Sequence, residues 1–210
     1  MDKVLVAYAT KNWSTAQIAR TITQVLRNEG LEVEMMLVTE VVDLQPYGAV
    51  VLGSPLYEGR WLKAAHRFLK DQGEALRARP VWLFSSGPLD DSAGGGDIPP
   101  VPDVQYGFIR INARDHVTFG GCLQEGARGW VAQSLVSSGK GGDFRDFEQI
   151  SGWAHGIATA LVNKATDLPK GYTTGVPTPP LGSPTRGRWW SLRRRSEVRT
   201  PVGGGVQRRA

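Results

Sequence analysis

The sequence predicts a doubly wound α/β domain built on a five-stranded parallel sheet. Continuous apolar runs alternate with stretches of helical spacing, and the connections between them are short. Such runs mark strands buried on both faces, as a parallel sheet covered by helices requires.

Val4-Leu5-Val6-Ala7-Tyr8-Ala9 is the first strand. Ile18, Ile22, Val25 and Leu26 then fall at helical spacing, and Asn28-Glu29-Gly30 ends that helix with glycine just beyond it. Leu31–Val38 reads as the second strand and Val50-Val51-Leu52-Gly53 as the third. Trp61, Ala64, Ala65, Phe68 and Leu69 mark an amphipathic helix closed by Gly73, and Pro80–Ser85 is the fourth strand. A Gly/Pro-rich loop runs from Gly87 to Pro102, followed by a helix near 103–112, a fifth strand at Val117-Thr118-Phe119 and a helix around 127–137. Ile150, Trp153, Ile157 and Leu161 define the last helix. Five strands fit the order 2-1-3-4-5, although several orders obey the same connection rules.

Charge separates two regions. Residues 1–169 hold 16 basic and 19 acidic residues, net −3, whereas residues 170–210 hold 9 basic residues and one acid, net +8. We read residues 1–168 as the folded domain and 169–210 as a disordered basic tail, because Pro, Gly, Ser and Arg without apolar periodicity cannot offset their ordering entropy. The high overall pI is a property of the tail, and no nucleic-acid partner is expected for the domain. Arg186, Arg188, Trp189, Trp190 and Arg193-Arg194-Arg195 suit either peripheral contact with an anionic membrane or an inert solvated segment. No apolar run is long enough to span a membrane, and the N-terminus does not read as a signal peptide. With Cys122 the single cysteine, a cytoplasmic setting is expected.

In an open α/β sheet ligands sit beyond the C-terminal ends of the strands, where the strand order reverses. Three loops are expected there: Thr10–Thr15, Ser54–Arg60 and Ser85–Asp91. The first carries three hydroxyls, one carboxamide and no carboxylate ahead of a helix N-terminus, which suits a phosphate. The plainer reading is that Ser14 or Thr15 only caps the helix. No P-loop and no G-x-G-x-x-G is present. In the second loop Tyr57 offers a wall for a flat ring, while Trp61 is expected in the core. Ser86-Gly87-Pro88 offers backbone to a ring edge, and Asp90-Asp91 reads as a solvated turn. His66, His116 and His155 are not at metal-ligand spacing, Cys122 has no evident base, and Ser54 is not in a hydrolase elbow.

Tyr8–Thr15 and Val50–Tyr57 resemble the phosphate loop and second flavin loop of flavodoxins. Trp82–Pro88, and Gly142-Asp143-Phe144-Arg145-Asp146-Phe147 leading into Trp153-Ala154, resemble the flavodoxin-domain proteins related to menaquinone-dependent protoporphyrinogen IX dehydrogenase. This resemblance covers roughly residues 3–165. It implies FMN as cofactor, with Thr10, Asn12, Ser14, Thr15 and the backbone of Lys11 and Trp13 at the phosphate. Ser54, Leu56, Tyr57, Gly59, Ser85, Ser86 and Gly87 would surround the ring. It further implies an FMN-dependent oxidoreductase of haem biosynthesis that acts on a porphyrinogen or another small redox substrate, with a quinone or redox protein as partner. A one-electron carrier and a flavin-free interaction module are the alternatives. Trp13 stands where this family usually has glycine, so the turn is expected either to need no positive φ there or to have moved.

Overall fold

The computed structural model describes residues 3–87, 89, 98–124, 126–139 and 141–163, with backbone alone at 131, 132 and 135. The expectations for residues 169–210, Pro88 and Asp90-Asp91 lie outside them.

Strand β1 (Lys3–Tyr8) leads through a turn into helix α1 (Ser14–Asn28), followed by β2 (Val33–Leu37) and β3 (Tyr47–Tyr57). A two-residue strand, β4 (Arg60–Trp61), precedes α2 (Lys63–Asp71) and α3 (Gly73–Arg77), and β5 (Val81–Ser86) comes next. The chain continues through α4 (Pro102–Ile111), β6 (Asp115–Phe119), β7 (Cys122–Leu123), α5 (Trp130–Ser137) and β8 (Gly142–Asp143) to α6 (Phe147–Val162). The main sheet has the order β2-β1-β3-β5-β6, all parallel, with β4 paired antiparallel to β3. Counting the five long strands alone, this is the expected 2-1-3-4-5.

Side-chain alternation distributes each strand between two cores. Leu5, Ala7, Val50, Leu52, Val81 and Leu83 pack with Phe68, Leu69, Leu76, Val104 and Phe108 of α2, α3 and α4. Val4, Val6, Ala49, Val51, Trp82 and Phe84 pack with Ile18, Ile22, Leu26, Ile150, Ala154 and Ile157 of α1 and α6. Both faces are therefore covered, which explains why the strands read as unbroken apolar runs.

Three details depart from the expected elements. Gly73 does not simply close a helix: α2 ends at Asp71, and Gly73 opens the short α3. Strand β3 runs eleven residues, through the first part of the loop expected at Ser54–Arg60, because Glu58 (φ 51°) and Gly59 (φ 72°) turn it back onto β4. Two successive left-handed residues make a tight hairpin turn of the twist that antiparallel strands favour. Finally, β7 and β8 form a separate two-stranded ribbon, with Cys122 opposite Asp143 and Leu123 opposite Gly142.

Gly53 marks a close approach within the sheet. A Cβ there would lie 2.0 Å from Phe84 Cζ, and Phe84 is itself locked against Phe119 and Trp153, with ring centroids 6.2 and 6.3 Å away. Gly53→Ala is therefore expected to lower stability by about 1–3 kcal/mol through overpacking, read as a lower urea midpoint at unchanged slope.

Candidate functional site

The chain leaves β1 and β3 towards opposite edges of the sheet, so a crevice opens beyond their C-terminal ends. The turn Ala9–Trp13 enters it first. Ala9 N–H donates to Gly53 O at 2.9 Å, which ties the turn to β3. Trp13 then takes φ 66°, ψ −15° and occupies the N-cap position of α1, with no side-chain cap. The capping alternative is thereby excluded: Ser14 and Thr15 lie inside the first turn of the helix, not ahead of it.

Trp13 also answers the question posed by its place in the turn. The backbone keeps the left-handed conformation that glycine would adopt, and the indole is turned outward, 67% exposed. The turn has neither moved to avoid a positive φ nor been filled by the tryptophan.

Two hydroxyls of this region are without partners. Thr10 Oγ1 and Thr15 Oγ1 are buried and make no hydrogen bond. Each unsatisfied buried hydroxyl costs about 1–3 kcal/mol, so their position beside an uncapped helix N-terminus is where an anion with several acceptor oxygens would be stabilised. The remaining polar groups of the turn are engaged. Ser14 Oγ accepts from Cys122 N–H at 3.0 Å and lies 3.2 Å from Ser86 Oγ. Asn12 Nδ2 donates to the Tyr57 hydroxyl at 3.0 Å, and its Oδ1 accepts from Arg128 N–H at 2.7 Å. Lys11 Nζ sits 5.1 Å from the centre of the Tyr57 ring.

The turn, the β3–β4 hairpin and the end of β5 therefore meet as expected. Leu56 and Tyr57 are half-buried on the hairpin, and Gly59 is exposed at its tip. Leu56 packs on Gly87, where a Cβ would lie 3.1 Å from Leu56 Cδ1. Burial raises the Tyr57 phenol above the ordinary tyrosine range, although the Asn12 N–H pulls it back.

Ser54 and Ser85 have a different setting. Both side chains are buried. Ser54 donates to Pro55 O at 3.2 Å and accepts from Leu62 N–H at 3.1 Å, which anchors the base of the hairpin. Ser85 accepts from Trp61 Nε1–H at 2.9 Å and lies 2.9 Å from His116 Nε2. Both also stand inside the paired strands, so these serines brace the crevice wall. Trp61 itself is in the core, as expected.

The 120–130 segment was not legible as part of this region. It approaches through backbone N–H groups, which no side-chain pattern reveals. Glycine was the available signal: a Cβ on Gly120 would lie 1.8 Å from Phe144 O, so only glycine lets these two chain segments pass. Arg145 locks the same region by a two-pronged pair with Asp143, at 2.7 and 2.5 Å, and by a bond to Gln17 of α1. An open depression of about 470 Å³ lined by Leu123, Gln124, Val136, Gly139, Gly141 and Gly142 shares no residue with the three loops.

The histidines serve local structure. His66 Nε2 lies 2.6 Å from Asp103, and His155 Nδ1 lies 2.9 Å from Glu29. Burial drives His116 down to about 4, so it is neutral at pH 7. Burial also raises the Cys122 thiol, which argues against a reactive thiolate. Among the described residues no group of acidic, histidine or cysteine side chains could hold a metal ion, and no helix is long and apolar enough to cross a membrane.

A flavodoxin-domain family model matches residues 5–136. The chain belongs to the flavodoxin-domain family. Flavodoxin-fold structures resemble it across most of the domain. A flavodoxin from Pseudomonas aeruginosa has a TM-score of 0.52 at 15% identity over 76% of this chain and 99% of that one. Oxidised flavodoxin 2 from Bacillus cereus has a TM-score of 0.50 at 22% identity, over 76% and 99%. The rubredoxin oxygen:oxidoreductase of Desulfovibrio gigas has a TM-score of 0.53 at 18% identity, and the match covers 78% of this chain but only 37% of that larger one. At these identities the likeness concerns the fold. No curated protein matches the sequence.

Two outcomes follow from this geometry. Trp13→Gly removes a bulky residue from a left-handed backbone while losing little packing, so thermal unfolding should show a gain on the order of 1 kcal/mol. His116 has its pKa depressed from 6.5 to about 4 on folding, so the unfolded chain binds more protons between those values. Its contribution is complete above pH 6.5 and falls away as the pH drops towards 4, by roughly 3 kcal/mol in all. Urea unfolding across pH 4–7 should show that loss in the parent protein and a flatter profile in His116→Gln.

Proposed function

We propose that this flavodoxin domain binds FMN through its phosphate in the Thr10–Thr15 turn and uses it for redox chemistry. The observation that carries this reading is the pair of buried, unpartnered hydroxyls at the head of an uncapped helix, Thr10 ahead of it and Thr15 in its first turn. An anion with three acceptor oxygens supplies what those groups lack, and such charge-assisted bonds contribute about 1.5–3 kcal/mol each. The chemistry of the pocket fits the group: donors without carboxylates at the phosphate end, and half-buried Leu56 and Tyr57 for a flat ring.

Bound FMN would supply one- and two-electron transfer. The chain's own residues supply placement. Thr10 and Thr15 hold the phosphate, the backbone of Lys11 and Trp13 lines the turn, and the end of β5 at Ser86-Gly87 borders the ring. Leu56 and Tyr57 shield one side of the ring from water. On this reading the protein is an oxidoreductase whose substrate is a porphyrinogen, with a quinone as acceptor. That assignment is supported by the resemblance of the segment 142–154 and the end of β5 to the protoporphyrinogen dehydrogenase subgroup.

Thr10→Val with Thr15→Val should weaken FMN binding tenfold or more, about 1.4 kcal/mol, in a flavin fluorescence titration. Unchanged affinity would remove the phosphate assignment. Anaerobic mixing with protoporphyrinogen should bleach the flavin band. Reduction by a one-electron donor alone would leave FMN binding intact and remove the porphyrinogen.

A further inference from the structure

Asn12 belongs to the turn by sequence, yet its carboxamide oxygen and one of its two N–H groups are committed elsewhere. A carboxamide offers two N–H donors and one acceptor oxygen. Here the oxygen accepts from Arg128 N–H at 2.7 Å, and an N–H donates to the Tyr57 hydroxyl at 3.0 Å. These partners lie 116 and 45 residues away in the chain. A carbonyl oxygen offers nothing to a phosphate, which is itself an acceptor, so the Arg128 bond has no competitor there.

Lys11 repeats the pattern. Its ammonium sits 5.1 Å from the centre of the Tyr57 ring, and a Cβ on Gly129 would lie 3.2 Å from the same nitrogen. Two consecutive residues thus touch both Tyr57 and the 128–129 segment. Asn12 holds the phenol by its edge while Lys11 lies over the face, which together fix both the position and the tilt of the ring. Thr10 and Thr15, in contrast, make no bond at all through their hydroxyls.

Resting on the FMN reading, we propose that Asn12 is a positioning residue and not a phosphate ligand. It ties the Tyr57 phenol and the 128–129 backbone to the phosphate turn, and so orients the Tyr57 ring against the isoalloxazine.

Riboflavin, which has the ring and no phosphate, separates the two roles. FMN and riboflavin affinities are measured by fluorescence titration for the parent, Asn12→Ala, Tyr57→Phe and the double variant. Amide hydrogen exchange at Arg128 is followed without flavin. Asn12→Ala should weaken both flavins by a similar factor, about fivefold to tenfold, and speed exchange at Arg128. The loss should shrink when Tyr57→Phe is already present, because the shared bond is then gone. Weakened FMN with unchanged riboflavin would make Asn12 a phosphate ligand and overturn the proposal, as would strictly additive losses or unchanged Arg128 exchange. A parent protein that binds neither flavin would instead overturn the FMN reading on which it rests.

Discussion

Unmet hydrogen-bonding demand at the head of α1 is the constraint around which the crevice is organised. A buried hydroxyl without a partner, beside a helix N-terminus without a cap, is a cost that a folded chain removes when it can. Here Ser14 and Asn12 find protein partners, whereas Thr10 and Thr15 do not. The difference between satisfied and unsatisfied members of one short turn separates what the turn does for the fold from what it offers a ligand. The Trp13 backbone makes this possible, since its left-handed conformation aims the turn inward while the indole stays outside.

The surrounding structure keeps that turn in place. Parallel strands buried on both faces supply a rigid floor, and Gly53 lets Phe84 pack directly under the crevice. The hairpin that carries Tyr57 is fastened from below by two separate hydroxyls. Ser54 receives Leu62 N–H, and Ser85 receives the Trp61 indole while facing His116. These serines face each other on the paired strands β3 and β5, and their side chains brace the wall. A residue can thus support a site from within the core.

Much of this was legible from the chain alone, for a specific reason. Residues such as Val50-Val51-Leu52 and Val81-Trp82-Leu83-Phe84 must be apolar on both faces, so their runs announce a covered parallel sheet. The hydroxyl-rich turn was legible because its hydroxyls lie close together in sequence and stand at a fixed place after the first strand. The inward turning of Ser54 and Ser85 was not legible, because the partners that claim their hydroxyls come from other elements. The hairpin at Glu58-Gly59 was missed because β3 continues through a proline and only the two left-handed residues betray the reversal.

The sequence by itself determined the fold class, the alternation of strands and helices and the hydroxyl-rich turn, since all three are encoded by neighbouring residues. Tertiary structure alone decided which hydroxyls remain unpaired, that Trp13 holds a glycine-like backbone with its ring outside, and that Asn12 joins Tyr57 to Arg128. The Asn12 link alone joins segments 45 and 116 residues apart. Local pattern specifies what a segment can become; only the packed chain determines which polar groups are left to bind something else.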